Sequence, residues 1–94
     1  QVGDVLYASW GWEQTNIDFY EIVAVRGAVV DIVEIHQDRV QTFSMQGTCT
    51  PRKGERKGGV IKGKRPNGLG QIRLNSYSYA RPWDGRPLSW SSYA

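Results

Sequence analysis

Asn16 to His36 constrains the fold more tightly than any other stretch of the chain. Residues 16–25 and 28–36 are rich in Val, Ile, Phe and Tyr, and Arg26-Gly27 separates them. Such residues on both sides of a two-residue, Gly-containing break predict two antiparallel strands joined by a tight hairpin. Successive side chains of a strand point to opposite faces. Ile17, Phe19, Val23 and Val25 therefore share one face, and Asp18, Tyr20, Ile22 and Ala24 share the other. In the second strand Val30 and Ile32 share a phase, while Val33 and Ile35 take the opposite one. Either both faces are covered, or a bulge shifts the register near Ile32-Val33.

The flanking segments extend this pattern. Val2 to Trp10 predicts a strand before the hairpin. Gln46 to Pro51 predicts one after it, ended by a proline that cannot donate to a ladder. Gln37 to Phe43 suits either a continued, bent strand or one helical turn. Strand character returns over Gln71–Ala80 and Leu88–Ala94, and Trp83-Asp84-Gly85-Arg86 reads as a tight turn that sets Trp83 and Trp90 on neighbouring strands. The expected fold is all-β, with five or six strands and little or no helix. It is a small, strongly bent antiparallel sheet or barrel, comparable in size to a Src-homology-3 domain. Ninety-four residues make a single domain, 1–94.

Composition enters mainly through what it excludes. Apolar residues make up 39% of the chain, but four Trp, five Tyr and two Phe supply large rings that help a small core to close. Cys49 is the only cysteine, so no internal disulfide forms, and a reducing cytoplasm is expected. No apolar run approaches the roughly 18 residues of a membrane-spanning helix. No signal-peptide pattern is visible, and an initial Gln1 suggests that the natural start lies upstream.

Catalytic patterns are sparse. His36 and Cys49 are singletons with no third orienting group, and two singletons cannot supply the three or four ligands of a zinc site. The acidic residues are mostly separated, although Glu13 and Asp18 flank a polar turn and could share a pocket. Gly63-Lys64-Arg65-Pro66-Asn67-Gly68-Leu69-Gly70 has the glycine content of a phosphate loop, but a strand follows it rather than a helix. The expectation is a protein that is not an enzyme and carries no metal or cofactor.

Charge is the remaining chemical signal. Residues 1–50 hold two cations against seven anions, a net −5, and residues 51–94 hold ten cations against two anions, a net +8. This asymmetry suits a polyanionic partner, or self-complementary packing between the halves. Residues 52–70 read as a long Gly-rich loop bearing Arg52, Lys53, Arg56, Lys57, Lys62, Lys64 and Arg65, with Arg73 just beyond. Lys and Arg would neutralise phosphates, and Tyr77, Tyr79, Trp83 or Trp90 would stack on bases. A merely solvated loop with buried aromatics is the plain alternative.

Trp10-Gly11-Trp12-Glu13-Gln14-Thr15-Asn16 is unusual as a linker, because it combines two of the largest side chains with four polar residues. As a structural corner it would place Trp10 in the core and bond Gln14, Thr15 and Asn16 to backbone. As a functional site it would be a pocket including Trp12 and Asp18. Trp83, Asp84 and Trp90 are the matching structural or pocket candidates near the other end of the chain.

Trp10 to Tyr20 resembles a SWGYDQTNVDFY signature, with Trp12 in place of Tyr and Glu13 in place of Asp. Ser76-Tyr77, Ala80 and Pro82-Trp83-Asp84-Gly85 resemble a second block, and Trp90-Ser91-Ser92-Tyr93-Ala94 a terminal SSYA block. Together they resemble a family of small bacteriophage and mobile-element proteins. The resemblance implies an accessory protein acting in the cytoplasm of a bacterial host. It would bind nucleic acid or block a host defence nuclease in the manner of anti-CRISPR proteins. The family brings no catalytic activity and no residue roles. The expected partners are thus nucleic acid or a bacterial defence protein, with no membrane; the oligomeric state stays open.

Overall fold

The computed structural model describes residues 2–11, 15–43, 46–75 and 78–91. Seven strands form one antiparallel sheet that is bent but not closed: β1 (Val5–Trp10), β2 (Asn16–Arg26), β3 (Val29–Phe43), β4 (Gln46–Lys64), β5 (Ile72–Asn75), β6 (Ser78–Pro82) and β7 (Leu88–Ser91). Their spatial order is β5-β6-β1-β2-β3-β4-β7. The all-β expectation holds, with more strands than the five or six expected. No helix occurs among the described residues, so none is long and apolar enough to cross a membrane.

The two apolar phases of the central hairpin each build a core. On one face Val5, Ile17, Phe19, Val33, Ile35 and Cys49 pack together; on the other Leu6, Ile22, Val30, Ile32, Ile72 and Ala80 do so. Both faces are therefore covered, the first of the two alternatives for residues 30–35. Register shifts occur as well, but in the partners: Ile22 and Ala24 of β2 oppose the adjacent Ile32 and Asp31, which leaves Val23 as the extra residue.

The last third of the chain covers both sides. The β5–β6 hairpin brings Ile72, Leu74 and Ala80 onto the second face and joins the sheet through Leu6↔Pro82 and Tyr7↔Arg81. The chain then crosses to the first face, where Trp83, Leu88 and Trp90 pack. β7 runs along the start of β4, from Cys49↔Leu88 to Gln46↔Ser91. Its last residue also reaches back to the start of β2: Thr15 N–H donates to Ser91 O at 3.1 Å, and Ser91 N–H returns a bond to Thr15 O at 3.0 Å.

Three expectations are corrected by this arrangement. Residues 52–64 are not loop but the continuation of β4, pairing with β3 from Gln37↔Pro51 to Val30↔Lys64. Pro51 does not end the strand, because β7 stops pairing at Cys49 and an outer edge tolerates a missing donor. The Gly-rich, charged composition reflects irregular pairing. Between Gln37↔Pro51 and Ile35↔Arg56 the chain inserts extra residues on β4, and again before Val33↔Val60 and Val30↔Lys64. Gly54 and Gly63 lie in these bulges with φ of +83° and +71°, a region that side chains disfavour.

The second correction concerns Trp83-Asp84-Gly85-Arg86. The segment bends, but it makes no hairpin: β6 pairs with β1 and β7 with β4, at opposite sides of the sheet. Asp84 Oδ1 accepts from Arg86 N–H at 3.0 Å, and Trp83 Nε1 donates to Arg86 O at 2.8 Å. These local bonds redirect the chain across the first face instead of folding it back. The third correction is Trp10, which is 49% exposed and belongs to neither core. Gln37–Phe43 takes the strand alternative, as the end of β3. His36 is exposed and lies within that strand.

Candidate functional site

The basic residues fall into two groups once β4 is drawn as a strand. Arg52 Nε lies 3.0 Å from Glu55 and 3.5 Å from Asp38, and Lys57 Nζ lies 3.6 Å from Glu34. These cations are partly neutralised by the acidic first half, so self-complementary packing accounts for part of the charge split. Lys53, Arg56, Lys62, Lys64 and Arg65 make no ion pair among the described residues. All but the half-buried Lys64 are exposed. Arg73 lies away from them on β5, opposite Tyr79 of β6.

Beyond Cys49 no strand lies on the outer side of β4 among the described residues. Its backbone edge therefore runs uncovered beside these cations. Two acidic anchors hold it in place. Glu21 Oε1 accepts from Gly54 N–H at 2.9 Å. Asp31, buried between β2 and β4, accepts from Gly63 N–H at 3.0 Å and from Arg26 Nη2 at 2.7 Å. The Gly63 amide, then Arg26, hold the Asp31 carboxyl below the usual carboxylate range, with Lys62 contributing.

The tryptophan corner is only partly described, since Trp12, Glu13 and Gln14 lie outside the described residues, as do Ser76, Tyr77 and 92–94 of the resemblance blocks. Trp10 Nε1 donates to Asp18 Oδ2 at 2.7 Å. Thr15 is fixed by its backbone bonds to Ser91, and its N–H also reaches Ser91 Oγ at 2.9 Å. Asn16 Nδ2 is buried with no hydrogen-bond partner among the described residues. The corner thus brings Trp10 and Asp18 together at the surface, with Thr15 bonded to β7. Trp83 and Trp90 lie on the first face instead, and Asp84 is exposed beside Arg86. Trp90 Nε1 donates to Thr48 O at 3.1 Å, and Arg39 stacks 5.3 Å above its ring.

His36 and Cys49 do not meet. Cys49 is opposite Arg39 and sits in the first core, while His36 falls in the other phase of β3. Burial pushes the Cys49 thiol up, against the pull of Arg39. No three His, Cys, Asp or Glu side chains gather among the described residues.

A feature that sequence reasoning missed is a cleft of about 520 Å³ on the first face. Tyr7, Ser9, Thr15, Ser78, Tyr79 and Arg81 surround it, over a floor that includes Ile17 and Leu88. Its residues come from four strands that are distant in sequence. The only available signal was the alternation Tyr79-Ala80-Arg81, which puts a ring and a cation on one face of a strand. Comparison of the chain with protein-family models, with curated proteins and with solved structures finds no match in any of the three.

Proposed function

We propose that the protein is a non-enzymatic binding module that engages nucleic acid along the outer edge of β4. The observation that carries this reading is the set Lys53, Arg56, Lys62, Lys64 and Arg65, cations without ion pairs among the described residues beside an uncovered strand edge. Charged, bulged edges also protect sheets from pairing with other chains, and that role alone would explain lysines and glycines here. The two readings differ in what they demand of salt. Phosphate contacts release counterions, so affinity falls steeply as salt rises. Wild type and a Lys62→Ala, Lys64→Ala, Arg65→Ala variant are titrated with single- and double-stranded oligonucleotides across a salt series. The expected result is a slope of log affinity against log salt that is shallower by roughly 0.7–0.9 per lost contact. No binding by wild type at low salt overturns the reading.

A protein target, such as a host defence nuclease met by a phage or mobile-element protein in the bacterial cytoplasm, is the second reading. The open edge of β4 favours it too, because an extended segment can add to such an edge as a further strand. Affinity held by backbone hydrogen bonds depends little on salt, so the same titration against a captured partner separates the two.

A further inference from the structure

We infer that the cleft on the first face is a site for one nucleotide unit, a planar base with an attached phosphate, either free or within a single strand. The geometry follows from register. Tyr7 of β1 is opposite Arg81 of β6, and Tyr79 is two residues along from Arg81 on the same face. This sets ring, guanidinium and ring in a contiguous group at the mouth of the cleft. Ser9 lies two residues along β1 from Tyr7 on the same face, and Thr15 also lines the cleft, held in place by both its backbone bonds and the Ser91 hydroxyl.

Each component matches one part of the ligand. Tyr79 is 42% exposed, which leaves a ring face open for a base to stack on. Arg81 is exposed and makes no ion pair or side-chain hydrogen bond among the described residues, so its fork is available for a phosphate. Hydroxyls of Ser9 and Thr15 supply donors and acceptors for the base edge, and Ile17 and Leu88 give an apolar floor. No carboxylate is among the described residues that line the cleft. A volume of about 520 Å³ lies within the usual range of roughly 300–1,000 Å³ for small-ligand sites. The cleft is built from β1, β6, β7 and the start of β2, and β4 contributes nothing to it. It therefore stands or falls independently of the β4 edge.

The test uses the full chain labelled with ¹⁵N, titrated with adenosine monophosphate and, separately, with a short oligodeoxyadenylate. The expected result is movement of the amide signals of Ser9, Thr15, Tyr79 and Arg81 with either ligand. Saturation by the monophosphate assigns a free nucleotide; movement with the oligomer alone assigns a single strand. Tyr79→Ala is expected to weaken binding about tenfold, as loss of one stacked base does, and Tyr79→Phe to preserve it. Arg81→Gln is expected to weaken it as well. The β4 triple variant is expected to leave the cleft signals moving as before, which separates this site from the edge. Dispersed spectra of each variant establish that it folds. Absence of movement at the cleft with both ligands, or equal affinity in Tyr79→Ala and Arg81→Gln, overturns the inference.

Discussion

Trp83 stands edge-on against Phe19, with ring centroids 6.0 Å apart and planes at 79°. Phe19 is fully buried at the centre of the first core, and Trp83 is the residue with which the chain reaches that face after β6. Edge-to-face pairs add about 0.5–1.5 kcal/mol beyond the area that they bury. Trp83→Ala is expected to cost about 2–3 kcal/mol, less than the loss of a fully buried ring because Trp83 is half-exposed. Urea denaturation checks this; an unchanged midpoint would mean that the ring does not close the core.

Gly47 and the glycines of β4's outer half differ in what surrounds them. A Cβ on Gly47 would overlap the carbonyl oxygen of Val40 and lie 2.9 Å from Gln41 Cα, both of them backbone. Gly47→Ala is expected to cost about 3 kcal/mol, since backbone cannot step aside cheaply. Gly58 and Gly59 have nothing within 4 Å of that position and no positive φ. Gly58→Ala is expected to be neutral or to stabilise by roughly 0.4–1 kcal/mol, through the unfolded chain. The melting temperatures of the two variants should move apart; movement in the same direction refutes the account.

Asp31 gives the protein an acid-side pH dependence. Its folded pKa is lowered by the Gly63 amide and Arg26, so its contribution is present above the unfolded value of about 3.9. It is lost as pH falls through the lower, folded value. Wild type is expected to be more stable than Asp31→Asn at neutral pH, with the gap narrowing below about pH 4. Thermal melts of both proteins down this pH range test it, and a gap independent of pH contradicts it.

Tyr20 acts at the alkaline end. Burial, then Asp18 and Glu34, push its phenol up from 10.0 to about 12. The folded state therefore keeps this proton where the unfolded chain releases it, and stability drains away between those two values as pH rises. Tyr20→Phe is expected to flatten that part of the profile. Parallel slopes for wild type and variant would refute it.

The central hairpin was legible because Ile17, Phe19, Ile32 and Ile35 alternate strongly enough to betray two buried faces. β4 was not, because the outer half of an edge strand needs few apolar residues. Only Ile61 of Arg52–Lys64 packs against a core, and bulges at Gly54 and Gly63 imitate the composition of a loop. Asp84-Gly85 misled for a different reason. Turn chemistry is local, whereas the direction of the chain beyond it is set by Trp83 seating on Phe19, a contact 64 residues apart in sequence. The structural-corner reading put Trp10 inside, but Asp18 holds its indole N–H at the surface. Of the expected site, the basic stripe was visible as composition; the division between its paired and unpaired members depended on Glu34 and Asp38 of β3. The cleft is assembled from four strands and has no local sequence pattern.

The order in which the chain covers its own sheet has a consequence for biosynthesis. Strands β1 to β4 present apolar side chains on both faces, yet the residues that cover them, Ile72 to Trp90, are made last. A nascent chain that has emerged only through Lys64 thus carries a sheet with both sides wet. Neither core can close until β5 and β6 and then Trp83 and β7 have left the ribosome. Folding is accordingly tied to near-completion of this segment, and until then the two greasy surfaces are available to a chaperone.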